Sequence, residues 1–251
     1  MQEDLPPAIP AATLILMRPA ADGGAPDILF IERARTMAFA AGALVFPGGR
    51  IDPEDHEAAA RLAPGLDDGA ARIAAVRETI EETGIAPLLP PSADAAALRR
   101  GLTAGEPFGA LLARFHPLVD LAELTPFARW LPNFREARRF DTLFYLAEAP
   151  AGAPEPLADR AEAVSSFWAS AAKVLADLEA GRAHAIFPTR RNLERLARFG
   201  SIDEARADAA AHPVETITPW VEERAGRRFV CIPEGIGYPV TAEPYESARR
   251  R

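Results

Sequence analysis

With 251 residues, of which 49% are hydrophobic, the chain can bury a sizeable core and fits one enlarged domain. Its formal net charge of -8 argues against a general nucleic-acid or anionic-membrane partner, because such a chain creates no attractive field for a polyanion. A single cysteine, Cys231, excludes an intrachain disulfide and a cysteine zinc site and agrees with a reducing compartment. The acidic start and the lack of a long apolar run favour a cytoplasmic protein.

Three short runs near the start predict strands, followed by a helix. The strands are ATLILMRP (12–19), DILFIERAR (27–35) and ALVFPGG (43–49), and a turn-rich spacer makes the first two neighbours. From Ala70 to Thr83 the apolar residues recur at helical spacing, and Gly84 is placed to cap the helix.

The remainder of the chain mixes both patterns, which predicts an α/β domain. A helical insertion is expected over about 87–126, from ADAAALRRGL and FGALLARF. Further strands are predicted at RFDTLFYLAEAP (139–150) and SSFWAS (165–170). Over about 170–251 we expect an extension with helices at AAKVLADLEAG and TRRNLERLARFG and a late hairpin from ETITPWVEER and RFVCIPEG.

Three acids share one face of the predicted helix. Glu78, Glu81 and Glu82 lie opposite its apolar side, and like charges at i, i+3 and i+4 weaken a helix by tenths of a kcal/mol per pair. Arg77 lies one turn before Glu81 and can hold one carboxylate with its planar fork. The remaining charge suits a hard divalent cation such as Mg²⁺. A solvated acidic face is the alternative for a helix of this kind.

The glycines of FPGGRID (46–52) follow a strand, where the backbone can approach a ligand closely. Together with RETIEETGI (77–85) this segment resembles the Nudix signature G-x5-E-x7-REUxEExGU, in which U is aliphatic. Gly49 matches the glycine, and the second half is matched by Arg77, Glu78, Glu81, Glu82, Gly84 and Ile85. The resemblance implies a single Nudix domain over 1–251, an α/β/α sandwich around a mixed β-sheet with helical insertions.

The chain departs from this signature in its spacing. Asp55 stands where the family has its first glutamate, and 21 residues separate it from Arg77 instead of seven, so 14 are extra. We interpret HEAAARLAPGLDDG (56–69) as a loop or short helix that bulges from one site, since an insertion in a surface loop adds little closure entropy. Asp67 or Asp68 could equally take the glutamate's place. Thr79 replaces an aliphatic residue.

The resemblance implies a hydrolase that uses Mg²⁺ or Mn²⁺ to cleave a diphosphate. Metals neutralise a diphosphate and lower the pKa of an attacking water, and a carboxylate takes its proton. The implied ligands are Glu78 and Glu82, with Glu81 as a ligand or the base and Arg77 orienting it. Further expected ligands are the carbonyl of Gly48 and the carboxylate of Asp55.

A substrate class is suggested by Asp52 and Asp55, which form a GGxxDxxD pattern with the glycines. This pattern resembles Nudix coenzyme A diphosphatases, and the lengthened signature resembles the acyl-CoA branch. The implied reaction releases 3′,5′-ADP and (acyl-)phosphopantetheine from CoA or acyl-CoA. Two departures are the absence of the branch's histidine near Ala40 and the replacement of an Arg-Ser pair by RAR (33–35).

Binding residues and partners complete the expectations. The candidates for substrate binding are Arg33, Arg35, Phe46, Gly49, Arg138 and Arg139. Candidates for lining an acyl or pantetheine channel are Phe127, Trp130 and Phe134, and Glu162 is a candidate late acid. The expected partner is a small-molecule diphosphate, with no nucleic acid and no membrane, and a homodimer is left open. Two alternatives stay open: hydrolysis of ADP-ribose, dinucleotides or nucleotides, and a non-catalytic Nudix-fold binding module.

Overall fold

An eight-stranded mixed sheet forms the centre of the molecule. The computed structural model describes residues 5–34, 36, 40–90, 93–115, 119–133, 139–158 and 163–248. The strands of the main sheet are β1 (Ile9–Arg18), β2 (Asp27–Arg33), β3 (Leu44–Val45), β4 (Gly48–Arg50), β5 (Thr125–Trp130), β6 (Phe140–Glu148), β7 (Ala163–Ser170) and β8 (Thr216–Ile217). A smaller antiparallel sheet consists of β9 (Trp220–Arg224), β10 (Arg227–Cys231) and β11 (Ala242–Pro244).

Strand β1 organises the main sheet because three other strands pair with it. It runs parallel to β6 from Ile9 opposite Phe140 to Met17 opposite Glu148. Its C-terminal end pairs antiparallel with β2, and its N-terminal end pairs antiparallel with β4. The parallel pairing with β6 joins segments that are distant in the chain. The antiparallel pairing with β4 places the glycines of β4 beside Ala12 and Thr13.

Helices cover both faces of the sheet. On one face lie α1 (Pro53–Leu62), α2 (Gly69–Thr83), α3 (Ala95–Thr103) and α4 (Phe108–Phe115), followed by a 3-10 turn at Leu121–Glu123. On the other face lie α5 (Ala171–Glu179), α6 (Phe187–Leu196) and α7 (Ile202–Ala211), and α8 (Tyr245–Ala248) ends the described chain. No helix within these described ranges has the length and apolar character needed to cross a bilayer.

Two hydrophobic cores result, one on each face of the sheet. Successive residues of a strand point to opposite faces, so Leu14 and Leu16 enter the core of α1–α4 whereas Ile15 and Met17 enter that of α5–α7. All four are at most 2% exposed. Burial of each such side chain stabilises the fold by about 1.5–3 kcal/mol. The three-layer arrangement confirms the predicted α/β/α architecture around a mixed sheet.

The first two predicted strands, the α2 helix and the late β9–β10 hairpin are confirmed, and the third predicted strand is divided into β3 and β4. Several elements differ from the sequence analysis, among them β5 and α7. The stretch expected to end the helical insertion contains strand β5, which begins at Thr125 and pairs with β6. Helix α7 was not predicted, because its sequence is rich in alanine and charge and shows little helical periodicity.

The extra residues inside the signature form a helix, not an open loop. Pro53 begins α1, and the backbone N–H of Asp52 donates to Oδ2 of Asp55 at 2.8 Å, which fixes the first turn. Small residues let α1 approach α2 closely: a Cβ on Gly69 would lie 3.2 Å from the Cβ atoms of Ala59 and Ala63. The insertion therefore packs as a helical hairpin and leaves the two halves of the signature free to meet.

Candidate active site

Helix α2 carries the predicted acids and is buried on almost every side. Glu82 is 8% exposed and Arg77 is 9% exposed. The helix ends at Gly84, whose φ of 71° is the left-handed conformation that favours glycine, and whose N–H donates to the carbonyl of Ile80 at 2.9 Å. The acidic side of α2 lines a cavity, so its charges are only partly screened by water.

Arg77 links the acids of the helix to the rest of the site. Its Nη1 donates to Glu78 Oε1 at 2.9 Å and to Glu81 Oε2 at 3.1 Å. Its Nη2 donates to the carbonyl of Arg50 at 3.0 Å, on strand β4. The predicted contact between Arg77 and Glu81 is thus present, and one guanidinium fixes two glutamates relative to the glycine strand.

Asp55 occupies a different place from the one expected of a metal ligand. Its side chain is 1% exposed, and its two oxygens accept from Nε and Nη2 of Arg77 at 3.0 and 2.9 Å. This bidentate pairing corrects the expected ligand role: Asp55 supports Arg77 from below and does not line the cavity. Neither Asp67 nor Asp68 takes its place, because Asp67 is exposed and Asp68 binds Arg72 at 2.7 Å and accepts from the hydroxyl of Tyr145.

The two glycines of β4 are required by close packing. A Cβ on Gly49 would lie 2.3 Å from Oε1 of Glu78, and one on Gly48 would lie 2.5 Å from the carbonyl oxygen of Ala12. The N–H of Gly48 donates to Oε2 of Glu82 at 2.9 Å. The FPGG segment therefore holds α2 against the sheet and contributes a hydrogen bond to one of the three glutamates.

A cavity of about 530 Å³ unites both halves of the signature with residues from distant segments. One group of lining residues surrounds the carboxylates and consists of Gly48, Gly49, Arg50, Asp52, Arg77, Glu78, Glu81 and Glu82. A second group is apolar and aromatic and consists of Val45, Phe46, Trp130, Pro132, Phe140, Phe144, Ile186 and Pro188. We call these two groups of lining residues the carboxylate end and the apolar end. Ala11, Thr13, Thr142, Thr189, Arg33 and Arg139 complete the lining.

Burial and the surrounding charges shift the pKa values at the carboxylate end. Burial raises the pKa of Glu78 to about 7, and the adjacent Arg77 opposes this shift. Burial likewise raises the pKa of Glu81 against the effect of Arg77. Burial alone would lower the pKa of Arg77, but its hydrogen bond to Asp55 and the nearby carboxylates raise it above its usual value. The site thus favours a cation beside the glutamates.

The donor set fits a hard divalent cation. Glu78, Glu81 and Glu82 supply carboxylate oxygens to the same cavity, and such oxygens are the ligands that Mg²⁺ and Mn²⁺ prefer. Among the described residues, no group of three or more acidic, histidine or cysteine side chains is already drawn together as a preformed metal cage. Mg²⁺ usually keeps several waters and takes substrate phosphates as ligands, so a complete protein cage is not needed.

The predicted binding residues fall into two groups. Arg33, Arg139 and Phe46 line the cavity, and the Nε atoms of both arginines are buried without a hydrogen-bond partner within the described part of the chain. Trp130 also lines it, whereas Phe127 packs in the core of α5–α7 beneath the guanidinium of Arg195. Arg35, Phe134, Arg138 and Glu162 lie outside the described residues.

Several lining residues escaped the sequence analysis. Ile186, Pro188 and Thr189 reach the cavity from the start of α6, and Thr13 and Thr142 reach it from β1 and β6. A proline in the first turn signals where α6 begins, but no local pattern shows what that turn faces. The pairing of β1 with β6 is equally invisible in the sequence, because it depends on tertiary topology.

Comparison with known proteins agrees with this geometry. No family model matches the chain. The acyl-coenzyme A diphosphatase NUDT19 of Gallus gallus is 25% identical over an alignment that covers 78% of this chain and 67% of that protein. A crystal structure of a Nudix hydrolase from Alicyclobacillus acidocaldarius is 28% identical, with a TM-score of 0.71 over 81% of this chain and 97% of that chain. The chain thus shares its fold, this level of sequence similarity and the assembled signature with Nudix hydrolases.

Proposed function

We propose that the protein is a metal-dependent diphosphatase that hydrolyses CoA or acyl-CoA to 3′,5′-ADP and (acyl-)phosphopantetheine. The observation that carries the proposal is one shared cavity, which joins three glutamates and Arg77 to Arg33, Arg139 and an apolar end. Such a cavity offers one place for a diphosphate, cations for further phosphate and room for an apolar arm. The similarity to an acyl-coenzyme A diphosphatase supports the same substrate class.

The reaction adds water across the P–O–P bridge. The oxygen of water forms a bond to one phosphorus, the bridging oxygen leaves with the other phosphate, and a carboxylate takes the proton of the attacking water. Glu78, Glu81 and Glu82 are the carboxylates within the cavity. Arg77 keeps Glu78 and Glu81 in place through the bonds from its Nη1, and Asp55 holds Arg77. Any of the three glutamates can be the base.

Glu78, Glu81 and Glu82 would hold Mg²⁺ or Mn²⁺, with the carbonyl of Gly48 as a further candidate ligand. When bound, the cation neutralises the diphosphate and lowers the pKa of water. Without a cation, the three carboxylates would repel a substrate that is itself anionic. The glutamates therefore support metal dependence by their charge as well as by their oxygen atoms.

The positive side chains of the cavity are suited to the phosphates. Arg33 lies at the end of β2 and Arg139 directly precedes β6, so they reach the cavity from different strands of the sheet. Their Nε atoms are buried and have no hydrogen-bond partner among the described residues, so they can donate to phosphate oxygens when substrate enters. Among the described residues, the guanidinium of Arg139 donates only a long hydrogen bond, from Nη1 to the carbonyl of Pro6 at 3.4 Å. These residues support recognition of a substrate with phosphate groups beyond the one attacked.

The first test is a mass-resolved hydrolysis screen with Mg²⁺ and with Mn²⁺. The substrates are CoA, acyl-CoAs, ADP-ribose, NADH and nucleoside triphosphates, and the expected result is release of 3′,5′-ADP that stops when EDTA is added. Cleavage of ADP-ribose or NADH without cleavage of any CoA would replace the substrate and leave the hydrolase class intact. Equal rates with and without EDTA would contradict metal dependence.

A second test addresses the 3′-phosphate. We predict that Arg139→Ala raises the KM for CoA about tenfold and the KM for 3′-dephospho-CoA much less, because one charge-assisted hydrogen bond contributes about 1.5–3 kcal/mol. Steady-state kinetics on both substrates measure the difference. Arg182→Ala is the control, since the side chain of Arg182 is 63% exposed and pairs with Asp177 away from the cavity. An equal rise for both substrates would remove Arg139 from 3′-phosphate recognition.

A further inference from the structure

The apolar end of the cavity is built largely by segments outside the Nudix signature. Trp130 comes from β5, and Ile186 and Pro188 come from the first turn of α6. Phe144 of β6 completes this wall. These side chains present carbon to the cavity, in contrast to the glutamates of the carboxylate end.

Trp130 is held in this wall by a buried hydrogen-bonded cluster. Its Nε1 donates to the hydroxyl of Tyr238 at 3.2 Å and to Oδ1 of Asn192 at 3.4 Å, and that hydroxyl donates to the same Oδ1 at 2.6 Å. Trp130 is 1% exposed, Asn192 0% and Tyr238 7%. The indole also makes edge contacts with the rings of Phe187 and Tyr238, at centroid distances of 6.0 and 5.6 Å.

These hydrogen bonds determine which atoms of the indole line the cavity. Its only polar atom, Nε1, donates to Tyr238 and Asn192, so the part of the ring that lines the cavity is carbon. Burial raises the pKa of Tyr238 to about 12, which keeps the hydroxyl protonated as a donor at neutral pH. Among the described residues that line the cavity there is no asparagine or glutamine, and the carboxylates are those of Asp52, Glu78, Glu81 and Glu82.

We propose that the apolar end receives a hydrocarbon arm of the diphosphate substrate, and that Tyr238 and Asn192 are positioning residues that keep Trp130 in its wall. This inference rests on the proposed function, because it assigns the acyl group of an acyl-CoA to a defined part of the cavity. The C-terminal segments thereby determine substrate preference, while α2 and β4 carry the chemistry. Ile186, at the start of α6, limits how far the arm extends.

The test compares CoA with lauroyl-CoA in the Tyr238→Phe variant. This change keeps the ring but removes the hydroxyl, so Nε1 of Trp130 loses its nearer acceptor and the indole can shift. We expect the KM for lauroyl-CoA to rise about tenfold, with kcat and the KM for CoA within about twofold of the wild type. A merely structural role would lower both activities together as the folded fraction falls.

Tyr145→Phe is a matched control for Tyr238→Phe. Tyr145 is likewise a buried tyrosine, but it lies on β6 and its hydroxyl donates to Asp68 at 2.9 Å on the opposite face of the sheet. Its variant should lose comparable thermal stability and keep the wild-type ratio of the two KM values. A ratio that changes equally in both variants would overturn the positioning role.

Ile186→Phe tests the wall directly on acyl-CoAs of increasing chain length. The larger side chain should shorten the longest arm that the protein accepts, whereas an unchanged length profile would overturn the assignment.

If Tyr238→Phe raised the KM for CoA as much as that for lauroyl-CoA, the wall would bind the nucleoside and not the arm. Cleavage of CoA without any effect of these variants refutes this inference alone. A wild-type protein that cleaves no CoA refutes the proposed function and this inference with it.

Discussion

The two ends of the cavity are ordered by different forces. At the carboxylate end, ionic hydrogen bonds fix Glu78 and Glu81, because Arg77 donates to both and is itself held by Asp55 behind the cavity. At the apolar end, ring contacts hold Trp130, whereas Phe144 is buried and Ile186 is half-buried. The hydrogen bonds of Trp130 lie behind the wall.

This difference has a consequence for mutation. Geometry at the carboxylate end depends on single atoms, because hydrogen bonds weaken steeply with distance and angle. Packing at the apolar end is spread over many contacts, each worth only tenths of a kcal/mol. Changes at the first end should therefore remove activity, whereas changes at the second should redirect it toward other substrates.

The largest expected effect is that of Glu81→Gln. Replacing this carboxylate removes either a metal ligand or the base, so we predict a fall in kcat of about 10⁴-fold, or roughly 5 kcal/mol, with the fold intact. Steady-state kinetics and thermal unfolding measure the two quantities. Glu57→Gln, on the exposed side of α1, is the control. Wild-type turnover in Glu81→Gln would exclude this end of the cavity from the chemistry.

Asp55→Asn should have the next largest effect, although Asp55 does not reach the cavity. Removing one partner of a buried ion pair leaves the other uncompensated, so we predict a loss of about 3–5 kcal/mol in the free energy of unfolding, together with reduced kcat. Urea denaturation measures this loss. The matched variant is Asp52→Asn, because the Asp52 side chain is 56% exposed and lies 3.5 Å from Arg77. Comparable losses in both would mean that burial does not govern this pairing.

The pKa of Glu78 predicts a pH dependence in metal-free buffer. A shift from 4.5 to about 7 means that protonated Glu78 contributes stability below pH 4.5, and that this contribution disappears as the pH rises through 7. The side chain of the Glu78→Gln variant is neutral at every pH, so the variant does not lose this contribution as the pH rises. The difference in unfolding free energy between variant and wild type should therefore grow by about 3 kcal/mol in favour of the variant from pH 4.5 to pH 8. Urea titrations in EDTA that gave a constant difference would refute the shift.

The smallest of these effects is expected for Gly49→Ala. The new Cβ would lie 2.3 Å from Oε1 of Glu78, so this glutamate must move away from Arg77. We predict a fall in kcat of about 10²-fold, equivalent to less than 3 kcal/mol. Gly65→Ala is the control, since no atom lies within 4 Å of a Cβ at that position. If both variants kept full activity, the close approach would not be needed for catalysis.

Local patterns in the sequence predicted much of the fold and the acidic half of the site. Helix α2 was predicted because its apolar periodicity and Gly84 both reflect interactions within one helix. Strand β5 was missed because its short run contains Pro126 and Arg129 and resembles the end of a helical segment. Helix α7 was missed because alanine and charged residues leave little periodicity. Local reasoning succeeded where the determining contacts are themselves local.

The pairing of Asp55 and the composition of the apolar end could not be predicted, because they depend on contacts between segments that are distant in the sequence. The spacing suggested a ligand, but only the structure shows both oxygens of Asp55 on Arg77. Ile186 and Trp130 line the same cavity because α6 packs against the face of the sheet into which Trp130 of β5 points. Their common role therefore results from the tertiary arrangement of elements that lie far apart in the chain.

The helical hairpin of α1 and α2 shows that the residues of the signature can meet in the structure even when the number of residues between them changes. Asp55 lies in the first turn of α1, so the rest of that helix and the turn at 63–68 can lengthen without moving its carboxylate from Arg77. This hairpin can therefore accept further insertions. Relatives with still longer inserts here should keep the same geometry, and searches that fix the number of intervening residues will overlook them.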